Sequence, residues 1–258
     1  VTQGIHPSVV VDPGARIGPG VSIGPFSVIG PGVSIGPGCR LGPHVVLERQ
    51  VRLGREVSVG AGSVLGSAPQ DVKYADEDTV VEIGDRTVIR EHATINRGTA
   101  ASGATIVGRD CFLMTYVHIA HDCRLGDRVT IANATQLSGH VTVEDGASLS
   151  GLIAVHQFVT IGTHAFVGGA SRIPQDIPPY VKAVGNPVKL YGLNTIGLQR
   201  AGYSPEAISS LKRAYRLLFN SSLPRSEALD ALESEAAGAP EVRRLVDFLN
   251  SARRGVPA

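Results

Sequence analysis

The sequence predicts a mainly β chain, a parallel β-helix of hexapeptide repeats followed by a small C-terminal α-helical domain. Three observations carry this. An aliphatic residue recurs every six positions from Ile5 onward. Aromatics supply only 5% of the residues while glycine reaches 31, which implies a narrow, aliphatic core. After Pro187 the repeat stops and helical spacing takes over.

From Ile5 the chain reads IHPSVV, VDPGAR, IGPGVS, IGPFSV, IGPGVS, IGPGCR, LGPHVV, LERQVR, LGREVS and VGAGSV. Position one is Ile, Leu or Val, position two is usually Gly, and position five is small or β-branched. The pattern resumes at Ile83 and runs again from Val107 to Ile173, always in the same register modulo six. Such a period marks a parallel β-helix. Each hexad should give a short strand with its first residue inward, then a turn where glycine takes conformations closed to other residues. Three hexads would close one triangular coil, with coils stacked about 4.8 Å apart. Strands this short depend on the stack for stability. The β-helix is assigned to residues 1–190 and the helical domain to 191–258.

Two segments leave the repeat. Residues 66–82 form a polar, charged loop containing Gln70, Asp71, Lys73 and Tyr74. An excursion that a solenoid does not need is a good place for function. The second, around Gly98–Ala104, is small and glycine-rich and says less. Cys39, Cys111 and Cys123 all fall at position five, so they read as small core residues. Cys123 is therefore not taken as a nucleophile despite its closeness to His121.

In the tail, Ser204-Pro205-Glu206 is a helix start, with a cap, a proline at the first position and an early acid. Ile208, Leu211, Tyr215 and Leu218 then share one face. Further helical stretches lie near 224–236 and 240–254. Lys212, Arg213 and Arg216 crowd the first helix, and Arg243, Arg244, Arg253 and Arg254 recur in the last. They form either a solvated face or a docking surface for an acidic protein.

The net charge of +1 does not suggest a nucleic-acid or membrane-surface protein. No apolar run approaches the roughly 18 residues of a membrane helix, so no stable membrane insertion is expected. The N-terminus lacks signal-peptide features, and a cytoplasmic location is expected.

The 18-residue coil turns spacing into geometry. His121, Gly139 and Gln157 should share one azimuth on successive coils, with His140 and His156 as neighbours and His118 half a hexad away. Four histidines and a glutamine then converge on one edge, within about 10 Å along the axis. A zinc site is one reading, since imidazole is a common ligand. γ-Type carbonic anhydrases carry zinc on a β-helix, but their His-x4-His spacing is absent here. The preferred reading is a general base, typically contributing roughly 10²–10⁴ in rate. Gly139, one coil above His121, leaves room for a backbone N–H to meet an oxyanion.

The hexad ladder resembles the left-handed β-helix of the hexapeptide acyltransferases. Within them the chain resembles the UDP-N-acetylglucosamine O-acyltransferase family. The resemblance rests on PQDVKYA (69–75), VEIGD (81–85), RGT (97–99), HIAHDC (118–123), SGHV (138–141), AVHQF (154–158), VGG (167–169), QDIPPYV (175–181) and GN (185–186). It implies transfer of an (R)-3-hydroxyacyl group from acyl carrier protein to the glucosamine 3-hydroxyl of UDP-N-acetylglucosamine, the first step of lipid A biosynthesis. It also implies a homotrimer with active sites between subunits, and neither metal nor cofactor.

By the same resemblance His121 matches the general base and Gly139 the oxyanion donor. Asp122 would orient the imidazole, although adjacent strand residues tend to point to opposite faces. Gln70, Asp71, Lys73, Asn96, His118, His140, His156 and Gln157 match substrate-contacting positions, and Asn194 and Arg200 the nucleotide end. Phe166 and Gly169 match the acyl-chain groove. The acidic carrier protein favours docking at Lys212, Arg213 and Arg216. Three positions depart from the family's familiar pattern: Asn96 stands for histidine, Ala201 for a second arginine and Phe166 for methionine. N-acylation of a 3-amino UDP sugar is the nearest rival. N-acylation of the 3-O-acylated sugar would need an N-terminal uridine-binding domain, for which hexads beginning at residue 5 leave no space.

Overall fold

The computed structural model describes residues 4–257. Among the described residues, 4–193 wind through strands mostly two residues long, which stack into three sheets of nine, eight and ten strands. Successive strands visit the three sheets in rotation, so the sheets are the faces of a triangular β-helix. Pairing is parallel and advances by 18 residues in the regular coils, as in Val10↔Val28 and Val28↔Val46. It advances by 30 across the first excursion (Val64↔Thr94) and by 24 across the second (Thr94↔His118). The excursions thus insert 12 and 6 residues, whole hexads, which is why the register survives them.

Positions one and five point inward as expected: Ile29, Val33, Leu47, Ile95, Ile119, Leu137 and Val141 are all buried. The three cysteines are buried too. Each thiol reaches a carbonyl 15 residues ahead: Cys39 to Gly54 at 3.1 Å, Cys111 to Gly126 at 3.2 Å and Cys123 to Ser138 at 3.1 Å. Ser27 and Thr135 make the same contact with their hydroxyls. Cysteine here occupies a hydroxyl position of the core, and burial pushes the Cys123 thiol up to about 12.

The role expected of glycine is corrected. Left-handed backbone occurs at position four, and mostly in residues other than glycine, among them His44 (φ 56°), Tyr116 (62°), Asp122 (61°) and His140 (62°). That conformation turns the position-four N–H onto a carbonyl of the coil below, as in His44 to Pro25 at 2.9 Å and His140 to His121 at 3.0 Å. The bond offsets a left-handed cost of about 1–2 kcal/mol. Position-two glycine answers a different need. A Cβ on Gly36 would lie 2.3 Å from the Gly54 carbonyl oxygen, and one on Gly30 closer still to that of Glu48. Glycine there lets one coil sit on the next.

The last sheet ends in an antiparallel pair, Val181–Gly185 with Val188–Leu193, which straddles the expected 190/191 division. Four helices follow: α1 (Thr195–Arg200), α2 (Pro205–Phe219), α3 (Arg225–Ala236) and α4 (Pro240–Ser251). α1 was not anticipated. α2 starts where expected, with Ser204 Oγ accepting from the Ala207 N–H at 3.1 Å. Ile208, Leu211, Tyr215 and Leu218 are buried along one face of α2. The Tyr215 hydroxyl accepts from the Gly192 N–H at 3.0 Å, and Arg244 of α4 pairs with Glu144 of the β-helix at 3.1 Å. Among the described residues no helix is long and apolar enough to cross a membrane.

Candidate active site

Both excursions leave the β-helix at one corner, between the face carrying His118–Ile119 and the face carrying Arg124–Leu125. His121, Gly139 and Gln157 lie at that same corner on the following coils. His121 is tucked beneath Gly139. A Cβ on Gly139 would fall 2.6 Å from the ring's Cε1 and 2.7 Å from Nε2. On the other side of the ring, Nδ1 lies 2.8 Å from Asp122 Oδ2.

This contact corrects the worry that neighbouring residues diverge. That rule belongs to extended strands, whereas Asp122 occupies the left-handed position four, which swings its side chain back beside His121. The Asp122 side chain is fully buried. Oδ1 accepts from the Thr99 N–H (3.0 Å) and the Ser102 hydroxyl (2.5 Å), and Oδ2 from the Thr99 hydroxyl (2.8 Å). Burial alone would raise this carboxyl's pKa. The donors from Ser102, His121 and Thr99 outweigh it and bring the pKa down to about 2.

The flanking residues complete the edge. His140 meets His121 edge-on with centroids 5.2 Å apart, and stacks on Phe158 at 4.5 Å. His118 Nδ1 lies 2.7 Å from the Thr94 hydroxyl; burial, helped by the charge of His121, lowers its pKa. His156 and Gln157 are exposed, and Arg254 reaches His156 Nδ1 at 3.1 Å from the far end of the chain. His121, Asp122 and His140 place ligand-type atoms within 4.8 Å of one another. Both Asp122 oxygens, however, are already filled by N–H and O–H donors, one of them His121 itself. The donor set fits a hydrogen-bonded pair better than a cation site.

In the first loop Gln70 and Lys73 are exposed, while Asp71 Oδ1 accepts the Lys73 N–H at 3.0 Å in a local turn. Asn96 is buried and donates from Nδ2 to Ser67 Oγ (2.9 Å) and the Ala68 carbonyl (3.0 Å), so within this chain it secures the base of that loop. Arg97, also buried, donates to the Gly66 carbonyl and to the Tyr74 hydroxyl.

Asn194 and Arg200 are not brought to this corner. Asn194 caps α1, its Oδ1 accepting from the Gly197 N–H at 3.2 Å, and Arg200 ends that helix. Together with Phe166 they line a cleft of about 810 Å³ on another face, which Arg128, Lys182 and His164 also border. Gly169 lies one corner further round the coil from Phe166, and a Cβ there would meet only the Gly151 oxygen at 3.2 Å and Ser150 Cβ at 3.7 Å. Lys212, Arg213 and Arg216 are exposed on α2, with Arg213 bonded to Ser209 and Ser210.

Comparison with known proteins finds relatives of this chain by sequence and by structure. The hexapeptide pattern of bacterial transferases matches residues 14–49, 32–67 and 104–139, the last spanning His121. Domain 2 of the UDP N-acetylglucosamine O-acyltransferases matches residues 176–257. An acyl-[acyl-carrier-protein]--UDP-N-acetylglucosamine O-acyltransferase of Burkholderia mallei (strain SAVP1) is 44% identical over 197 residues, 74% of this chain and 75% of that protein. The chain belongs to the UDP-N-acetylglucosamine O-acyltransferase family.

Solved structures agree along nearly the whole length. The family member from Bacteroides fragilis 9343 superimposes with a TM-score of 0.96 at 38% identity, covering 98% of this chain and 99% of that one. The member from Acinetobacter baumannii gives 0.95 at 40%, with the same coverage. With 98% of this chain covered, both matches include the helical tail.

Sequence reasoning missed Thr99, Ser102, Phe158 and Arg254 at the family corner, and Arg128 and Lys182 in the cleft. The hydroxyls of Thr99 and Ser102 were visible in the second excursion. Their target lies 20 and 23 residues away, a distance only the coil closes.

Proposed function

We propose that this chain transfers an (R)-3-hydroxyacyl group from acyl carrier protein to the glucosamine 3-hydroxyl of UDP-N-acetylglucosamine, the first step of lipid A biosynthesis. The observation that carries the reading is the Asp122–His121–Gly139 arrangement in a member of this family. Asp122 engages Nδ1, leaving Nε2 under Gly139 as the basic nitrogen. As the sugar oxygen attacks the thioester carbonyl, Nε2 takes its proton. The tetrahedral oxyanion is met by the Gly139 N–H. Collapse breaks the C–S bond, and the imidazolium returns the proton to the departing carrier thiolate.

Asn194 and Arg200 sit on another face from His121, which supports a site completed between subunits of a homotrimer. The cations Arg128, Lys182 and Arg200 around that cleft suit a diphosphate. Gln70, Asp71, Lys73, His118, His140, His156 and Gln157 wall the acceptor side, while Phe166 and Gly169 bound the acyl chain. Asn96 acts on substrate through the loop it anchors.

The test is a substrate matrix: carrier proteins loaded with 3-hydroxyacyl chains of several lengths, offered with the 3-hydroxy and the 3-amino UDP sugar. Mass analysis should find an O-acylated product from the 3-hydroxy sugar. Exclusive acylation of the 3-amino sugar would replace the proposed acceptor. A second expectation concerns the carrier. Reversing Lys212, Arg213 and Arg216 to glutamate should raise its apparent KM about tenfold at low salt and leave the sugar KM unchanged. An unaltered carrier KM would make those charges a solvated face.

A further inference from the structure

The excursion at 98–103 is six residues long, occurs in one coil only, and lies directly before the His121 corner along the β-helix axis. It is held firmly at both ends. The Gly98 carbonyl accepts from the buried Thr79 hydroxyl at 2.6 Å, and the Gly103 N–H donates to the Thr99 carbonyl at 2.8 Å. The Thr99 hydroxyl accepts from the Ala101 N–H at 3.2 Å, which fixes its own proton towards Asp122. Three of the four donors around the Asp122 carboxylate therefore come from this one insertion. The fourth is His121.

We infer that the 98–103 insertion is a positioning element for the acyl-transfer reaction, in which Thr99 and Ser102 hold the Asp122 carboxylate so that it engages His121 Nδ1 and leaves Nε2 free to act as base. The inference rests on the proposed role of His121 and adds the residues that set its tautomer and aim. The physical reason is geometric. A carboxylate with one partner can rotate about its terminal torsion, whereas one with both oxygens bound to a closed loop cannot. The Thr99 hydroxyl and His121 Nδ1 together occupy Oδ2, the oxygen that would otherwise attract His140, whose Nε2 stands 3.7 Å from it. Asp122 thus stays committed to His121. At most other regular corners the position-four N–H binds a carbonyl of the coil below, and at Phe26 it binds the Ser8 hydroxyl. At Asp122 the Thr105 hydroxyl, on the strand that follows the insertion, takes that place at 2.9 Å.

The experiment compares Thr99→Val, Ser102→Ala and the double variant with the conservative Thr99→Ser and Ser102→Thr. Turnover and tautomer are both read. Single losses should lower kcat about tenfold, and the pair about 10²-fold, with both KM values within a factor of two. Thr99→Ser should restore most of the rate. In an Asp122→Ala background the same losses should cost nothing further, because they act only through that carboxylate. Nitrogen NMR of the His121 ring, assigned with a His121→Ala variant, should show the Nδ1–H form in the parent and a mixture in the double variant. Equal further loss in the Asp122→Ala background, or an unchanged tautomer, would overturn the inference and leave only a structural loop. If the parent protein transfers no acyl group, the reading of function falls, while the tautomer measurement still decides the positioning role.

Discussion

Replacing His121 by alanine should lower kcat by roughly 10²–10⁴, the range of a lost general base, and move either KM by no more than a few-fold. Nε2 acts only as the sugar oxygen's proton leaves, so its loss belongs to the transition state and not to binding. The fold should survive. Asp122 keeps its donors from Thr99 and Ser102, and the backbone N–H of His140 keeps its bond to the residue-121 carbonyl. Single-turnover acyl transfer to UDP-N-acetylglucosamine, followed by mass, is the measurement. Full transfer by the variant would remove His121 from the chemistry.

The second large effect concerns the scaffold. Gly36 and Gly38 lie in one hexad, IGPGCR, yet opposite tolerance is expected of them. A Cβ at Gly36 would lie 2.3 Å from the Gly54 carbonyl oxygen and 2.6 Å from its carbon, both backbone atoms of the next coil. Gly36→Ala must therefore push two coils apart, at about 3 kcal/mol, the upper end of ordinary overpacking. Its melting temperature should fall by about 6–12 °C. Gly38 has φ +71° but open space around it, with only the end of Glu56's stem near, at 3.4 Å. Glu56, Arg86, Asp110 and Arg128 already take the same conformation along that edge. Gly38→Asn should cost less than about 1 kcal/mol, since asparagine tolerates left-handed backbone. If Gly38→Asn were the more damaging change, conformational freedom and not coil contact would be the reason for the repeat's glycine.

That contrast shows where periodicity informs and where it stops. A six-residue repeat reveals which positions favour small residues, and position two is usually glycine. It does not reveal whether smallness serves backbone conformation or close packing, because both are written with the same letter. The cysteines were legible for the opposite reason. Their shared register with Ser27 and Thr135 was itself the information, and the coil gave all of them the same carbonyl partner 15 residues on.

At the corner, His121 beneath Gly139 followed from spacing alone, since 18 residues is one turn of a regular coil. The partnership of His121 with Asp122 did not follow. A two-residue strand gives way at once to a left-handed turn, where alternation no longer says which way a side chain points. Asn96 was legible as a polar residue and not as the anchor of loop 66–82.

The chain's sequence by itself determined the coil, its length, its inward residues, the hexad-sized insertions and the helices from Ser204 onward, because each is a local or periodic constraint. Only the tertiary structure decided what meets across it. Both excursions share an edge with the histidines, and the second delivers three donors to a carboxylate that lies 20–23 residues away in the chain. Asn194 and Arg200 belong to a different face of the same β-helix. Stacking closes those distances, and no local pattern encodes which corner an insertion will reach.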